Sequence, residues 1–107
     1  MIVTTSSHIA GHRIVKTIGL VRGNTVRVRH MGKDILAALK NLFGGEIEEY
    51  TKLLAESREQ AADRMIAQAE ALGANAIVDT RFTTSMVMSL AAEILVFGTA
   101  VVIERES

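Results

Sequence analysis

Residues 48–82 read EEYTKLLAESREQAADRMIAQAEALGANAIVDTRF, and the rest of the chain is organised around this stretch. Apolar residues recur in it at three- and four-residue steps, the spacing of one stripe on an α-helix. The stripe consists of Tyr50, Leu53, Leu54, Ala61, Met65, Ala69 and Leu72. Gly73 follows, and glycine accepts the left-handed conformation that ends helices. The sequence therefore predicts a long helix that ends near Leu72 and leads into a strand over residues 76–84.

Residues 90–104 read LAAEILVFGTAVVIE, a run that is apolar on both alternating faces of a strand. One face carries Ile94, Val96, Ala100 and Val102, and the other carries Leu95, Phe97, Val101 and Ile103. A strand that is apolar on both faces is typically buried on both. Because helices on one side of a sheet cover only one face, we expect a second copy of the chain to cover the other.

The part of the chain before the long helix is predicted to begin with three strands. Residues 2–4 are suited to a short edge strand, and residues 14–21 and 25–29 alternate as strands do. Gly23-Asn24 lies between the last two strands and is a hairpin signal. We therefore predict a hairpin in this region.

Residues 32–43 change to a helical period with a wide apolar face, and Gly44-Gly45 separates them from the long helix. The predicted fold is α+β, a single domain over residues 1–107. An antiparallel-type sheet is packed by one short and one long helix in the order β-β-β-α-α-β-β. Met65, Met86 and Met88 are predicted to fill the core.

The composition excludes several classes of function. Lys plus Arg and Asp plus Glu both number 12, so no global charge attracts nucleic acid or an anionic membrane. The chain has no cysteine, which excludes disulfides, thiolate metal sites and thiol nucleophiles. No signal sequence or membrane-spanning run is apparent, and we expect a cytoplasmic protein.

Several motifs appear in a recognisable order: Met1-Ile2-Val3-Thr4-Thr5, Lys33-Asp34, Gly44-Gly45 with Tyr50, ALGANAIV over residues 71–78, and GTAV over residues 98–101. Together they resemble the YbjQ-like family, whose function is not established and for which heavy-metal binding is suggested. The resemblance implies an α+β subunit that assembles into a ring, with a homopentamer expected. The sequence departs from the family where aspartates and a tyrosine often follow the helix, because it has one acid, Asp79, and an arginine, Arg81.

Three histidines are candidate ligands for a divalent metal ion such as zinc or nickel: His8, His12 and His30. His8 and His12 are four residues apart, a spacing that brings two imidazoles together on a helix. Their segment is predicted to be a loop, which favours ordinary surface histidines. A symmetric ring could still gather the same histidine from several subunits.

Arg22, Arg27, Arg29 and Lys33 are the densest basic cluster. Arginines can bind phosphate or carboxylate with paired hydrogen bonds, but the cluster is also typical of a solvated edge strand. Tyr50 and Arg58 lie two helical turns apart, which suits a subunit seam or a ligand contact. Glu93 lies within an apolar strand, so we expect a cross-subunit contact with Arg or Lys.

Three hypotheses follow. The favoured one is a non-enzymatic, oligomeric binding protein that holds a metal ion or small ligand at subunit interfaces. The second is an enzyme with a composite interface site that draws on Glu93, Arg58 or His30, although no catalytic residue is assigned. The third is a structural assembly that recruits another protein.

Overall fold

The computed structural model describes residues 1–28, 46–88 and 91–106, which form one sheet with one helix packed on it. The elements are β1 (Ile2–Val3), β2 (His12–Val28), α1 (Glu46–Ala71), β3 (Ala76–Met88) and β4 (Ala91–Arg105). The strand order in the sheet is β1-β3-β4-β2. β4 runs antiparallel to both of its neighbours, whereas β1 runs parallel to β3. The fold is therefore α+β as predicted, but the sheet is mixed and not purely antiparallel, because the short strand β1 pairs parallel with β3.

The predicted order of elements is wrong in the N-terminal part. Residues 14–21 and 25–29 were expected to form two strands of a hairpin, but β2 continues through Gly23-Asn24 without a turn. Gly23 pairs with Val96 and Asn24 with Leu95 in the ladder to β4. The described residues give the order β-β-α-β-β with one helix. The short helix predicted over residues 32–43 lies outside the described residues.

Gly23 allows α1 to pack closely on β2 and does not form a turn. A Cβ atom added there would lie 2.0 Å from the Ala61 carbonyl oxygen and 2.6 Å from the Met65 backbone nitrogen. Both atoms belong to the backbone of α1, which therefore crosses directly over β2 at this point. Glycine allows such a close approach because it has no side chain.

The apolar stripe of α1 forms the core against β2, β3 and β4. Ala61, Met65 and Ala69 are fully buried. They pack with the buried residues Val21, Ala74, Ile77, Ile94, Val96 and Ala100. The predicted long helix is confirmed, and it ends as expected because Gly73 adopts a φ of 86°. Leu72, which was placed in the stripe, lies beyond the helix and is exposed.

A bulge in β3 follows Val78, where the register to β4 shifts. Asp79 lies in the bulge with a φ of 54°, a conformation that costs a non-glycine residue energy. The segment after β1 forms two hydrogen bonds with the bulge. The Asp79 N–H donates to the Ser6 carbonyl oxygen, and the Thr80 N–H donates to the Thr4 carbonyl oxygen.

The molecule is elongated. Its extents are 59 × 22 × 16 Å, and its Cα radius of gyration is 17.7 Å, compared with about 13 Å for a compact domain of this length. β2 has 17 residues and spans roughly 56 Å, whereas the 26 residues of α1 span about 39 Å. The helix is therefore too short to cover the whole sheet. Within the described ranges, no helix has the length and apolarity needed to cross a membrane.

Candidate functional site

The side of the sheet opposite α1 is here called the open face. Its residues lie in cross-strand rows, as the register of β2, β4 and β3 shows. The rows are Arg22–Phe97–Arg81, Asn24–Leu95–Thr83 and Val26–Glu93–Ser85, and Leu20 lies beside Thr99 in the row beyond Phe97.

The open face has an apolar centre that the described part of the chain leaves uncovered. Leu95 and Phe97 are only half-buried. Leu20 and Val26 at its border are 67% and 51% exposed. Large apolar side chains grouped on one surface mark contact sites for other molecules.

Part of the second face of β4 is covered by the chain itself, contrary to our expectation that a second copy must cover it all. Val101 and Ile103 are buried together with Ala76 and Val78, and Ile9 of the loop after β1 packs against them. The expectation overlooked this loop because its polar residues gave no packing signal. The uncovered part of the open face lies beyond the reach of this loop.

Glu93 is the carboxylate of the open face. It is half-buried, and Asn24 Nδ2 donates a hydrogen bond of 3.4 Å to its Oε2 atom. Among the described residues, the one ion pair instead joins the exposed side chains of Arg13 and Glu104. Within the described ranges, no Lys, Arg or His side chain forms an ion pair with Glu93.

Arg27 lies on the other side of the sheet, under α1. Its Nε atom donates a hydrogen bond of 2.7 Å to Ser57 Oγ, and its Nη2 atom contacts Gln60. Ser57 is fully buried, and its hydroxyl group donates a hydrogen bond of 2.9 Å to the Leu53 carbonyl oxygen. Arg27 therefore attaches α1 to β2, whereas Arg22 lies on the open face, so the predicted basic cluster is divided. Arg29 and Lys33 lie outside the described residues.

Arg58 lines an open groove of about 490 Å³ between α1 and β3. The groove is bounded by Lys52, Ala55, Glu56, Arg58, Glu59, Ala62 and Phe82. Arg58 and Glu93 are thus separated by the sheet, and one subunit does not bring them into a common site. Tyr50 lies in α1 near its beginning.

Of the three candidate histidines, the described part of the chain contains His8 and His12, and these two belong to no three-ligand site there. His8 lies exposed in the loop, and His12 is the first residue of β2, with Nδ1 3.1 Å from the Ala10 carbonyl oxygen. His30 lies outside the described residues. Within the described ranges, no three His, Asp or Glu side chains are grouped closely enough to hold a metal ion. His12 pairs with Arg105, 12 residues from Glu93 along β4, a separation of roughly 40 Å.

Two contacts were missed by reasoning from the sequence. Gln68 Oε1 accepts a hydrogen bond of 2.8 Å from the Arg22 N–H, and Arg64 donates to the Asn24 carbonyl oxygen. Both side chains reach the outer backbone edge of β2. Their four-residue spacing beside the apolar stripe was a signal that they share one flank of the helix.

Comparisons with known proteins agree on a family. A YbjQ family model described as "Putative heavy-metal-binding" matches residues 1–104. A UPF0145 protein of Dehalococcoides mccartyi is 55% identical over 104 residues, which cover 97% of this chain and 100% of that protein. A UPF0145 protein of Methanosarcina acetivorans is 54% identical, covering 94% of this chain and 95% of that protein.

A solved structure has a similar fold. It is a crystal structure of a protein of unknown function from Pediococcus pentosaceus that belongs to the DUF74 family. The TM-score is 0.70 at 17% sequence identity, and the match covers 97% of this chain and 98% of that one. At this identity, the similarity shows the fold alone.

Proposed function

The chain belongs to the YbjQ-like family, and we propose that it is one subunit of a homo-oligomeric binding protein. The subunits meet over the open face, and a metal ion or small ligand is held where they meet. A homopentamer is the expected assembly.

The observation that carries this proposal is the apolar centre of the open face. Leu95 and Phe97 lie at the middle of the sheet, on its central strand β4, where α1 gives them no cover. Burying apolar surface contributes about 25 cal/mol per Å². A second copy would supply that burial, and the elongated shape leaves a large surface on which copies can meet.

Glu93 is the residue that we assign to the ligand. It lies one row from the apolar centre and is already half-buried, and among the described residues it accepts one long hydrogen bond, from Asn24. Closing a second subunit over it would remove water from the carboxylate, which is costly unless a cation compensates. A metal ion or a cationic group of a small ligand would provide that compensation. The heavy-metal description of the family is consistent with the first alternative.

A metal site of this kind requires more than one subunit. The described residues of one chain contain no group of three suitable ligands. Symmetry can repeat Glu93, or combine it with a histidine of a neighbouring copy, to reach the three or four ligands that zinc prefers.

Elemental analysis and native mass spectrometry of protein purified without an affinity tag test this proposal. We expect a bound metal ion or a co-purifying small molecule in the oligomer, or metal uptake after incubation with zinc, nickel or copper. Glu93→Gln should reduce the occupancy at least tenfold. Glu104→Gln is the matched control, because Glu104 is an exposed carboxylate on the same strand, and it should bind as the unmodified protein does.

Two results would contradict the assignment. The first is an oligomer with neither metal nor small molecule after all three incubations. The second is equal occupancy in the Glu93→Gln and Glu104→Gln variants, which would place the ligand elsewhere.

A further inference from the structure

The two outer edges of the sheet differ in how they are protected. Along β2, register shifts interrupt the ladder between Ile14 and Lys16 and between Thr17 and Gly19. Further along, the side chains of Gln68 and Arg64 form hydrogen bonds with the outward-facing N–H group of Arg22 and C=O group of Asn24. Bulges and covering side chains are the usual means by which edge strands avoid pairing with other chains. β2 is thus protected against pairing with a strand of another chain.

β3 forms the opposite edge, and the part of the chain that the structure describes gives its second half no such protection. β1 pairs only with Ala76 and Ile77, and the following loop reaches no further than Thr80 and the side chain of Arg81. Residues 82–86 read FTTSM, with no charge, no proline and no register shift inside the segment. In the described ranges, no other strand pairs with the outer side of this segment.

The backbone groups of this segment have a definite direction. The Thr80 N–H donates to Thr4 O on the β1 side. Because backbone groups alternate between the two sides of a strand, Phe82, Thr84 and Met86 present their N–H and C=O groups on that same side. Their side chains share one face of the sheet with Ile94, the face on which α1 packs. Phe82 is 48% exposed and Met86 is 62% exposed, although Met86 was predicted to lie in the core.

We propose that residues 82–86 pair antiparallel with the same residues of a second copy of this chain, across a two-fold axis at Thr84. This register is self-complementary. Phe82 would lie opposite Met86 of the partner subunit, and sulfur–aromatic contacts of this kind are favourable. Thr83 would lie opposite Ser85 of the partner subunit, and Thr84 would face its own copy, so hydroxyl groups meet hydroxyl groups.

The groove beside Phe82 supports this partner. It is lined by Phe82 and by Ala55 and Ala62 of α1, so it has an apolar floor next to the unprotected edge. In the proposed pairing, Met86 of the partner subunit enters the groove alongside Phe82. The contact would bury the exposed side chains of Phe82 and Met86 in both copies. It would also join two four-stranded sheets into one sheet of eight strands.

This contact is separate from the one over the open face, because Phe82 and Met86 lie on the opposite side of the sheet from Leu95 and Phe97. Subunits that contact each other through the open face would leave the edge of β3 free. The two-fold contact at this edge could then pair two such assemblies or two single subunits.

Disulfide trapping tests the pairing cleanly, because the chain contains no cysteine. Thr84→Cys places each thiol opposite its own copy in a hydrogen-bonded pair, with Cα atoms about 5.5 Å apart, which is within disulfide range. We expect a dimer on non-reducing gels after mild oxidation, formed at least tenfold faster than with Thr17→Cys. Thr17 is the matched control because it is an exposed threonine on the other edge strand, β2.

A second pair of variants fixes the register. Phe82→Cys alone and Met86→Cys alone should cross-link slowly, because each residue is about 13 Å from its own copy across the axis. The two proteins, denatured together and refolded as a mixture, should cross-link as fast as Thr84→Cys. Circular dichroism checks that each variant is folded. The proposal is overturned if Thr84→Cys reacts no faster than Thr17→Cys, or if the mixture reacts no faster than its components.

Discussion

Gly23 lies directly beneath α1, where a side chain would meet helix backbone rather than flexible atoms. An alanine Cβ would come within 2.0 Å of the Ala61 carbonyl oxygen, so Gly23→Ala must push α1 away from β2. We expect the free energy of unfolding to fall by about 3 kcal/mol, the upper part of the usual range for overpacking. Urea denaturation at a fixed protein concentration measures it.

Thr17→Ala is the control for Gly23→Ala, because Thr17 is exposed on the same strand. It should change the free energy of unfolding by less than about 0.5 kcal/mol. If the two substitutions changed the free energy of unfolding equally, α1 would not pack closely against Gly23.

Asp79 occupies a left-handed conformation in the bulge of β3, with a φ of 54°. Aspartate tolerates this region, whereas a β-branched residue does so poorly. Asp79→Val should therefore lower the free energy of unfolding by about 1–3 kcal/mol, and Asp79→Gly should be tolerated. Thermal unfolding of both variants, with Thr83→Val as an exposed control in extended backbone, provides the measurement. If Asp79→Val were as stable as Asp79→Gly, the bulge would not have this conformation.

At the level of the elements, α1 and β2 are attached by the contact between Arg27 and Ser57. The Arg27 Nε atom donates to a hydroxyl that is fully buried. Ser57→Ala should cost about 1–3 kcal/mol of stability, because it leaves a partly buried donor without its acceptor. In a double-mutant cycle with Arg27→Met, we expect a coupling of at least about 0.5 kcal/mol by chemical denaturation. A coupling near zero would mean that the two side chains do not interact in solution.

The elements that could be predicted from the sequence are those with local signals. The apolar period and Gly73 lie within one continuous stretch, so the long helix and its end were predictable. Gly23-Asn24 was misinterpreted as a turn. A glycine is needed at position 23 because α1 packs directly on it, and α1 lies about 40 residues further along the chain and contacts Gly23 only after folding. A turn signal and a packing glycine look alike in a sequence.

The candidate site was predictable to a similar extent. Alternation along β4 separated Leu95 and Phe97 from the core residues, and the structure places them on the open face. It also identified Glu93 as unusual. The sequence could not show that Arg27 is engaged by Ser57, because their contact joins residues 30 positions apart.

In the assembled protein, we propose that copies of the chain meet over the open face. Leu95→Lys would place a charge at the centre of that face, where burial without a partner is costly. We expect this variant to dissociate at least tenfold more readily than the unmodified protein, as measured by sedimentation equilibrium. Glu70→Lys, an exposed change on α1, is the control and should leave the association constant unchanged.

The mass of the unmodified protein in solution shows whether the chain assembles at all. One chain has a mass of 11.6 kDa. Sedimentation equilibrium at micromolar concentration should give a multiple of this mass, with five copies, or ten if the β3 edges also pair, as the expected result. A mass of one chain across that concentration range would contradict assembly over the open face.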